Sequence, residues 1–157
     1  MNTMVFHTLI FLNIASAGLV TGGAAVMAAA YLPLLATLSS GETITVHQGI
    51  GRYIDRWQPK LAMLALFTGL AELLFTQHLW QTVAVVLGVA GIFALSLISR
   101  AVSIPLSRRI VAWTPPTSEV RLDLMKAQWI RAHYIRSAFA LGGFLCFIVS
   151  VLLLVQF

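Results

Sequence analysis

The sequence predicts an all-α integral membrane protein: a four-helix up-down-up-down bundle with helical extensions on one face of the bilayer. Three observations predict it, namely long uncharged apolar runs, a shortage of charge, and confinement of the basic residues to two connections. Of the 157 residues, 59% are hydrophobic and 10% charged, and mean hydropathy is +0.91. Ordinary soluble domains carry roughly 25% charged residues. Crossing a hydrocarbon layer of about 30 Å takes roughly 20 mostly apolar residues per helix, and the runs at 5–38, 61–77, 79–99 and 137–155 qualify. A transmembrane barrel would alternate apolar and polar residues, and these runs do not. One domain over residues 1–157 is expected.

The first run contains Ala15-Ser16-Ala17, a small-residue triplet that resembles a signal-peptide cleavage site. The expectation is nevertheless a retained helix, because no Lys or Arg precedes the run and the hydrophobicity continues well past Ala17. Gly18 and Gly22 form a Gly-x-x-x-Gly, the spacing that lets two membrane helices approach closely, so a homo-oligomer through this face is a candidate assembly. The lone Cys146 rules out an internal disulfide and reads as a small packing residue.

All ten Lys and Arg lie either at Arg52, Arg56 and Lys60, between the first two runs, or from Arg100 to Arg136, between the last two. Four crossings put both connections on one side, and the excess of positive charge predicts that side to be cytoplasmic, with both termini outside, in an inner membrane of bacterial type. The net charge of +5 thus serves topology and anionic lipid headgroups rather than nucleic acid. The opposite connection, residues 76–80, is so short that the second and third runs must form an antiparallel hairpin with His78 and Trp80 at the interface.

In the first basic connection, Ile50, Ile54 and Trp57 recur at helical spacing opposite Arg52, Asp55 and Arg56. This segment reads either as a surface helix ending at Pro59 or as an extension of the second helix kinked there. The second connection turns at Thr114-Pro115-Pro116-Thr117, and helix resumes with Ser118 as candidate cap and Glu119 in the first turn.

Trp129, His133 and Arg136 follow an i, i+4, i+7 spacing that sets an indole, an imidazole and a guanidinium on one helix face where the last helix enters the bilayer. They form either a polar mouth, with Arg136 holding an anionic oxygen and His133 moving a proton, or a pair of interfacial anchors around a hydrogen-bonded histidine. Glu72 is the sharper anomaly: a carboxyl within an apolar run, which costs roughly 2.5–3.5 kcal/mol at mid-membrane, so it should face the interior of the bundle. A protonated Glu72 paired with His78 or with a neighbouring helix is an equal alternative. Asn13 is expected to be packing glue between helices. His47 and His133, without clustered carboxylates, make no metal site, and no Walker loop, nucleophile elbow or dinucleotide fingerprint occurs.

The stretch from Ser103 to Ile110, followed after a proline turn by Gln128-Trp129-Ile130-Arg131-Ala132-His133-Tyr134-Ile135-Arg136-Ser137 and a final apolar helix, resembles the anthrone oxygenase-like family of small four-helix membrane proteins. The glycine-rich first helix ending in Tyr31-Leu32-Pro33 fits the same layout. Family members often read Asn-x-Pro-x-Asn where this chain has Ser103-Ile104-Pro105-Leu106-Ser107, so hydroxyls replace both amides. The resemblance implies oxygenation of anthrones to anthraquinones without metal or flavin. On that reading His133 is the base, Arg136 with Arg52 opposite stabilises the substrate anion, and Trp129 and Trp57 stack on a flat hydrophobic aromatic molecule drawn from the membrane. A non-catalytic accessory or assembly protein and a proton-coupled carrier using Glu72 are the rival expectations.

Overall fold

The computed structural model describes residues 3–113 and 119–155, with side chains described throughout except at 3, 50–55, 119–120 and 155. The first crossing is built from α1 (Thr3–Val26), a π turn (Met27–Tyr31) and α2 (Leu32–Thr37). The second is the single helix α3 (Ser40–Glu72), closed by a 3-10 turn at Leu73–Phe75. The third runs through α4 (Leu79–Ile98), a second π turn (Ser99–Ser103) and α5 (Ile104–Val111), and the fourth is α6 (Glu119–Val155). No strand occurs among the described residues. Four helices are long and apolar enough to span a membrane, over Met4–Thr37, Arg56–Phe75, Leu79–Val111 and Arg121–Leu154. The chain is a multi-pass membrane protein of the all-α class.

α3 passes through Pro59 without a break, which settles the two readings of the first basic connection in favour of a continuous helix. At about 1.5 Å per residue its 33 residues reach about 50 Å, some 20 Å more than the hydrocarbon needs. The surplus projects beyond the membrane, as does the start of the 37-residue α6. α3 begins with Ser39 as cap: its N–H and Oγ both donate to Glu42 Oε2, at 2.9 and 2.6 Å, and hold that carboxylate below its usual pKa. The turn at 114–117 and the Ser118 cap lie outside the described residues, and α6 starts at Glu119.

The helices close a ring in which α1 meets α3, α3 meets α4, α4 meets α6 and α6 returns to α1. Asn13 ties α1 to α3, its Nδ2 donating to Ala65 O at 2.9 Å and to Thr68 Oγ1 at 3.3 Å. Thr21 Oγ1 donates to Ala140 O, and Ser137 Oγ to Ala24 O, joining α1 to α6. The closest approach is between α4 and α6, and glycine permits it. A Cβ on Gly91 would stand 2.7 Å from the Gly143 Cα, and one on Gly143 2.9 Å from the Gly88 carbonyl oxygen. The fully buried ring of Phe147 occupies the room left by Gly69 and Gly88. Gly18 meets Phe144 of the same chain, whereas Gly22 faces open space. Outward-facing Phe11, Leu19, Phe67, Leu87, Phe93 and Leu152 are exposed, as they must be where lipid is the solvent.

Both π turns lead into prolines. Leu32 N donates to Met27 O ahead of Pro33, and Ile104 N to Ser99 O ahead of Pro105. A proline inside a helix lacks an N–H and crowds the carbonyl four residues back, and a wider turn relieves that crowding. Each π turn delivers a polar residue inward near the basic end: Tyr31 from the first, Ser103 from the second, both buried.

Candidate functional site

The sequence places Trp129, His133 and Arg136 on one face of α6, and the structure buries all three. The Trp129 and His133 rings lie 3.9 Å apart between centroids, one turn from each other. Two residues not assigned to the site from the sequence join them. The His47 ring, from the extension of α3, approaches Trp129 edge-on at 4.6 Å, and Tyr31 does so at 6.0 Å. Tyr31 Oη and His47 Nδ1 are 3.2 Å apart, within hydrogen-bond distance. Burial pushes the His47 imidazole down to a pKa of about 4, because desolvation disfavours the charged ring. Three elements thus supply a phenol, two imidazoles and an indole, packed beside Met27, Leu106, Ile110 and Leu122.

His47 Nε2, His133 Nδ1, His133 Nε2 and Ser103 Oγ are all enclosed with no hydrogen-bond partner among the described residues. Most buried polar groups in folded proteins are partnered, and these four atoms retain the capacity for a further hydrogen bond at this end of the bundle.

Arg136 reaches the other way. Its Nη1 donates to Ser99 Oγ at 2.9 Å and its Nη2 to Gln58 Oε1 at 3.3 Å, which orients the guanidinium between α3 and α4. There it forms part of the wall of a cleft of about 350 Å³. The cleft is polar at one end, with Gln58, Ser99 and Arg100, and apolar along Met63, Leu66, Phe93 and Leu97. Phe93 and Leu97 are exposed on the lipid-facing surface, so the cleft faces the bilayer. It belongs in size to the range of small-molecule pockets.

Not every expected residue converges here. Trp57 is 61% exposed and lies beneath Arg56 and Lys60, with their charged groups 5.9 and 5.1 Å from its ring. That is an anchoring geometry, and among the described residues no ring contact joins Trp57 to the aromatic cluster. The Arg52 side chain lies outside the described residues. His133 does not line the cleft; it precedes Arg136 by one turn of α6. Glu72 and Asn13 sit in the other half of the bundle. No group of three or more His, Cys, Asp or Glu able to hold a metal occurs among the described residues.

The profile of the anthrone oxygenase family matches residues 52–146, more than half of the chain and the part that contains Gln58, Ser99, Trp129, His133 and Arg136. The chain belongs to the anthrone oxygenase family. Tyr31 and His47 precede the matched segment, so the family pattern alone does not include two of the four rings in the cluster. No curated protein and no solved structure matches this anthrone oxygenase family member.

His47 and Tyr31 were hard to find from the sequence because nothing local couples positions 31, 47 and 129. The available signal was the aromatic-Leu-Pro end of the first helix. A proline two residues after an aromatic, inside an apolar run, forecasts a distortion that aims the ring.

Proposed function

We propose that the chain is a membrane oxygenase that takes a flat, apolar, anthrone-type phenol from the bilayer through the cleft between α3 and α4 and oxidises it with molecular oxygen. The observation that carries this reading is Arg136, held by Ser99 and Gln58 at the wall of a lipid-facing cleft, one turn of α6 from a buried imidazole with both nitrogens unpartnered. A guanidinium so fixed suits a phenolate oxygen, since it stays charged and donates from a rigid plane. The ring must pass from the cleft, past Arg136, to the side of α6 where His133 lies; there neutral His133 accepts a proton from the reactive ring carbon, and the electrons delocalise onto the oxygen held by Arg136.

The electron-rich carbanion gives electrons to oxygen, and a carbon–oxygen bond forms. The imidazolium returns its proton to the resulting peroxide. Removal of the second proton from the same carbon expels hydroxide as the oxygen–oxygen bond breaks, and that proton converts the hydroxide to water. Anthrone plus oxygen becomes anthraquinone plus water, with His133 regenerated. Trp129 stacks on His133 and supports the ring plane. On the same reading the basic end lies in the cytoplasm, by the charge of its loops, with the anionic headgroups of the membrane against them.

The test is turnover of an anthrone by the full chain in lipid nanodiscs under labelled oxygen, against the spontaneous rate. The expected result is accelerated quinone formation with one labelled oxygen atom per product. General-base loss is worth roughly 10²–10⁴-fold, so His133→Ala and Arg136→Gln should each fall steeply. Wild-type protein no faster than buffer would overturn the reading and favour a non-catalytic role; equal turnover by His133→Ala would remove His133 from the chemistry.

A further inference from the structure

Glu72 lies at the end of α3 away from the aromatic cluster, in the half of the bundle that the proposed oxygenation does not use. It is 4% exposed, and its Oε1 is enclosed without a hydrogen-bond partner. Asn13, on the facing helix α1, is fully buried, and its Oδ1 is likewise enclosed and unpartnered. The direction of the Asn13 amide is fixed, because its nitrogen donates to Ala65 O and Thr68 Oγ1 on α3. Thr68 precedes Glu72 by one turn and so shares its face. The Thr68 hydroxyl donates to Leu64 O at 2.7 Å and accepts from Asn13, which leaves one lone pair.

A carboxyl oxygen, an amide oxygen and a hydroxyl oxygen therefore lie on neighbouring turns of the facing helices α1 and α3, and at Asn13 Oδ1 and Glu72 Oε1 no donor among the described residues answers. Acceptors of this kind call for a donor or a cation, not for an apolar or anionic ligand. A divalent ion would bring more charge than one carboxylate balances; a monovalent one matches it. The titratable groups on the packed elements at this end are His7 on α1 and His78 ahead of α4, both exposed, and Cys146 on α6. Among the described residues none of them forms an ion pair with Glu72.

We propose that Asn13, Thr68 and Glu72 form a buried binding site for a small monovalent cation, either sodium or a hydrated proton, in the membrane-spanning part of the bundle. Both sources share the chemistry of a single positive charge surrounded by oxygen acceptors, and the site is independent of the oxygenase reading.

The experiment is carbodiimide modification of Glu72, followed by mass spectrometry on the full chain in lipid nanodiscs. The reagent attacks only a protonated carboxyl, so a bound sodium ion protects. Labelling is measured from pH 5.5 to 9 in sodium chloride and in choline chloride, with Glu72→Gln as blank. Sodium binding is shown by protection in sodium relative to choline at equal pH. A hydrated proton is shown by labelling that ignores sodium and falls as pH rises, with a midpoint that moves when Asn13 is changed. One lost ligand of a charged group weakens binding by roughly tenfold or more, so Asn13→Ala should raise the protecting sodium concentration, or shift the pH midpoint, by that factor. Because the Asn13 amide nitrogen also ties α1 to α3, Glu72→Asp is the second variant; it leaves that tie intact, keeps a carboxyl for the reagent, withdraws it by one methylene, and should likewise raise the protecting sodium concentration or shift the pH midpoint. Glu72 unlabelled at every pH without sodium, or labelling indifferent to sodium, pH, Asn13→Ala and Glu72→Asp, overturns the site.

Discussion

Replacing Phe147 with alanine should destabilise the bundle by about 2–3 kcal/mol, and adding Gly88→Ala to that variant should cost almost nothing. The ring of Phe147 is fully enclosed, and methyl groups on Gly69 and Gly88 would stand only 3.0 and 2.7 Å from its carbons. In a bilayer the usual transfer gain is nearly absent, because lipid tails are as apolar as a protein core, and packing carries the stabilisation. What remains is the cavity: about 100 Å³ emptied at about 24 cal/mol per Å³ costs about 2.4 kcal/mol. Gly88→Ala alone forces a methyl well inside the 3.5–4.0 Å of ordinary carbon contact and should cost about 1–3 kcal/mol. With the ring gone the same methyl fills part of the hole, so the pair should couple by about 1–3 kcal/mol. Reversible unfolding in mixed micelles, measured at all four corners of the cycle, gives that number. Additivity within about 0.5 kcal/mol would refute the ring-in-glycine-socket account of how α3, α4 and α6 are held together.

Two further outcomes concern the basic end. The His47 pKa lies near 4 in the folded chain against about 6.5 unfolded. The unfolded chain therefore binds more protons between those values, and the stability that neutral His47 contributes is complete above pH 6.5 and is lost as pH falls toward 4. Thermal melts across that window should flatten in His47→Gln, and an unchanged slope would assign the acid sensitivity to another group. Ser39→Ala removes the hydroxyl that donates to Glu42 at 2.6 Å and should cost about 1 kcal/mol, seen as faster amide exchange in the first turn of α3 with the remainder of that helix unaffected.

The four crossings, the tight hairpin at 76–78 and the Trp129–His133–Arg136 face were legible in the sequence because each depends on local composition or on spacing within one helix. Asn13 was legible as glue for a related reason: an amide in an apolar run has few places to go. Relations between helices were not. The rotation of α3 decides that His47 turns inward and Trp57 outward, and both satisfy an amphipathic pattern. Gly18 and Gly22 carry the best-known spacing for close approach, yet the tightest contact uses Gly88, Gly91 and Gly143, which lie on helices paired only by the closure of the ring. The turn of Arg136 away from His133 into the cleft depends on Gln58 and Ser99, each polar and unremarkable in its own segment.

The π turns at Met27–Tyr31 and Ser99–Ser103 also set the rotational phase of α2 and α5, the helices they lead into. An α-helix advances about 100° per residue, so one residue more or fewer in either turn would swing every later side chain of that crossing by about that angle. Leu32 and Leu35 beyond the first turn, and Leu106 and Ile110 beyond the second, are buried against the inner cluster. Removing the extra residue would aim those side chains at lipid and bring exposed neighbours such as Leu34 and Arg109 inward. Each crossing thus behaves as two helical segments with separately set clocks. The segment away from the basic end keeps time with the glycine seam, the one at the basic end with the aromatic cluster, and a one-residue length change at either junction disturbs the basic end while leaving the seam in register.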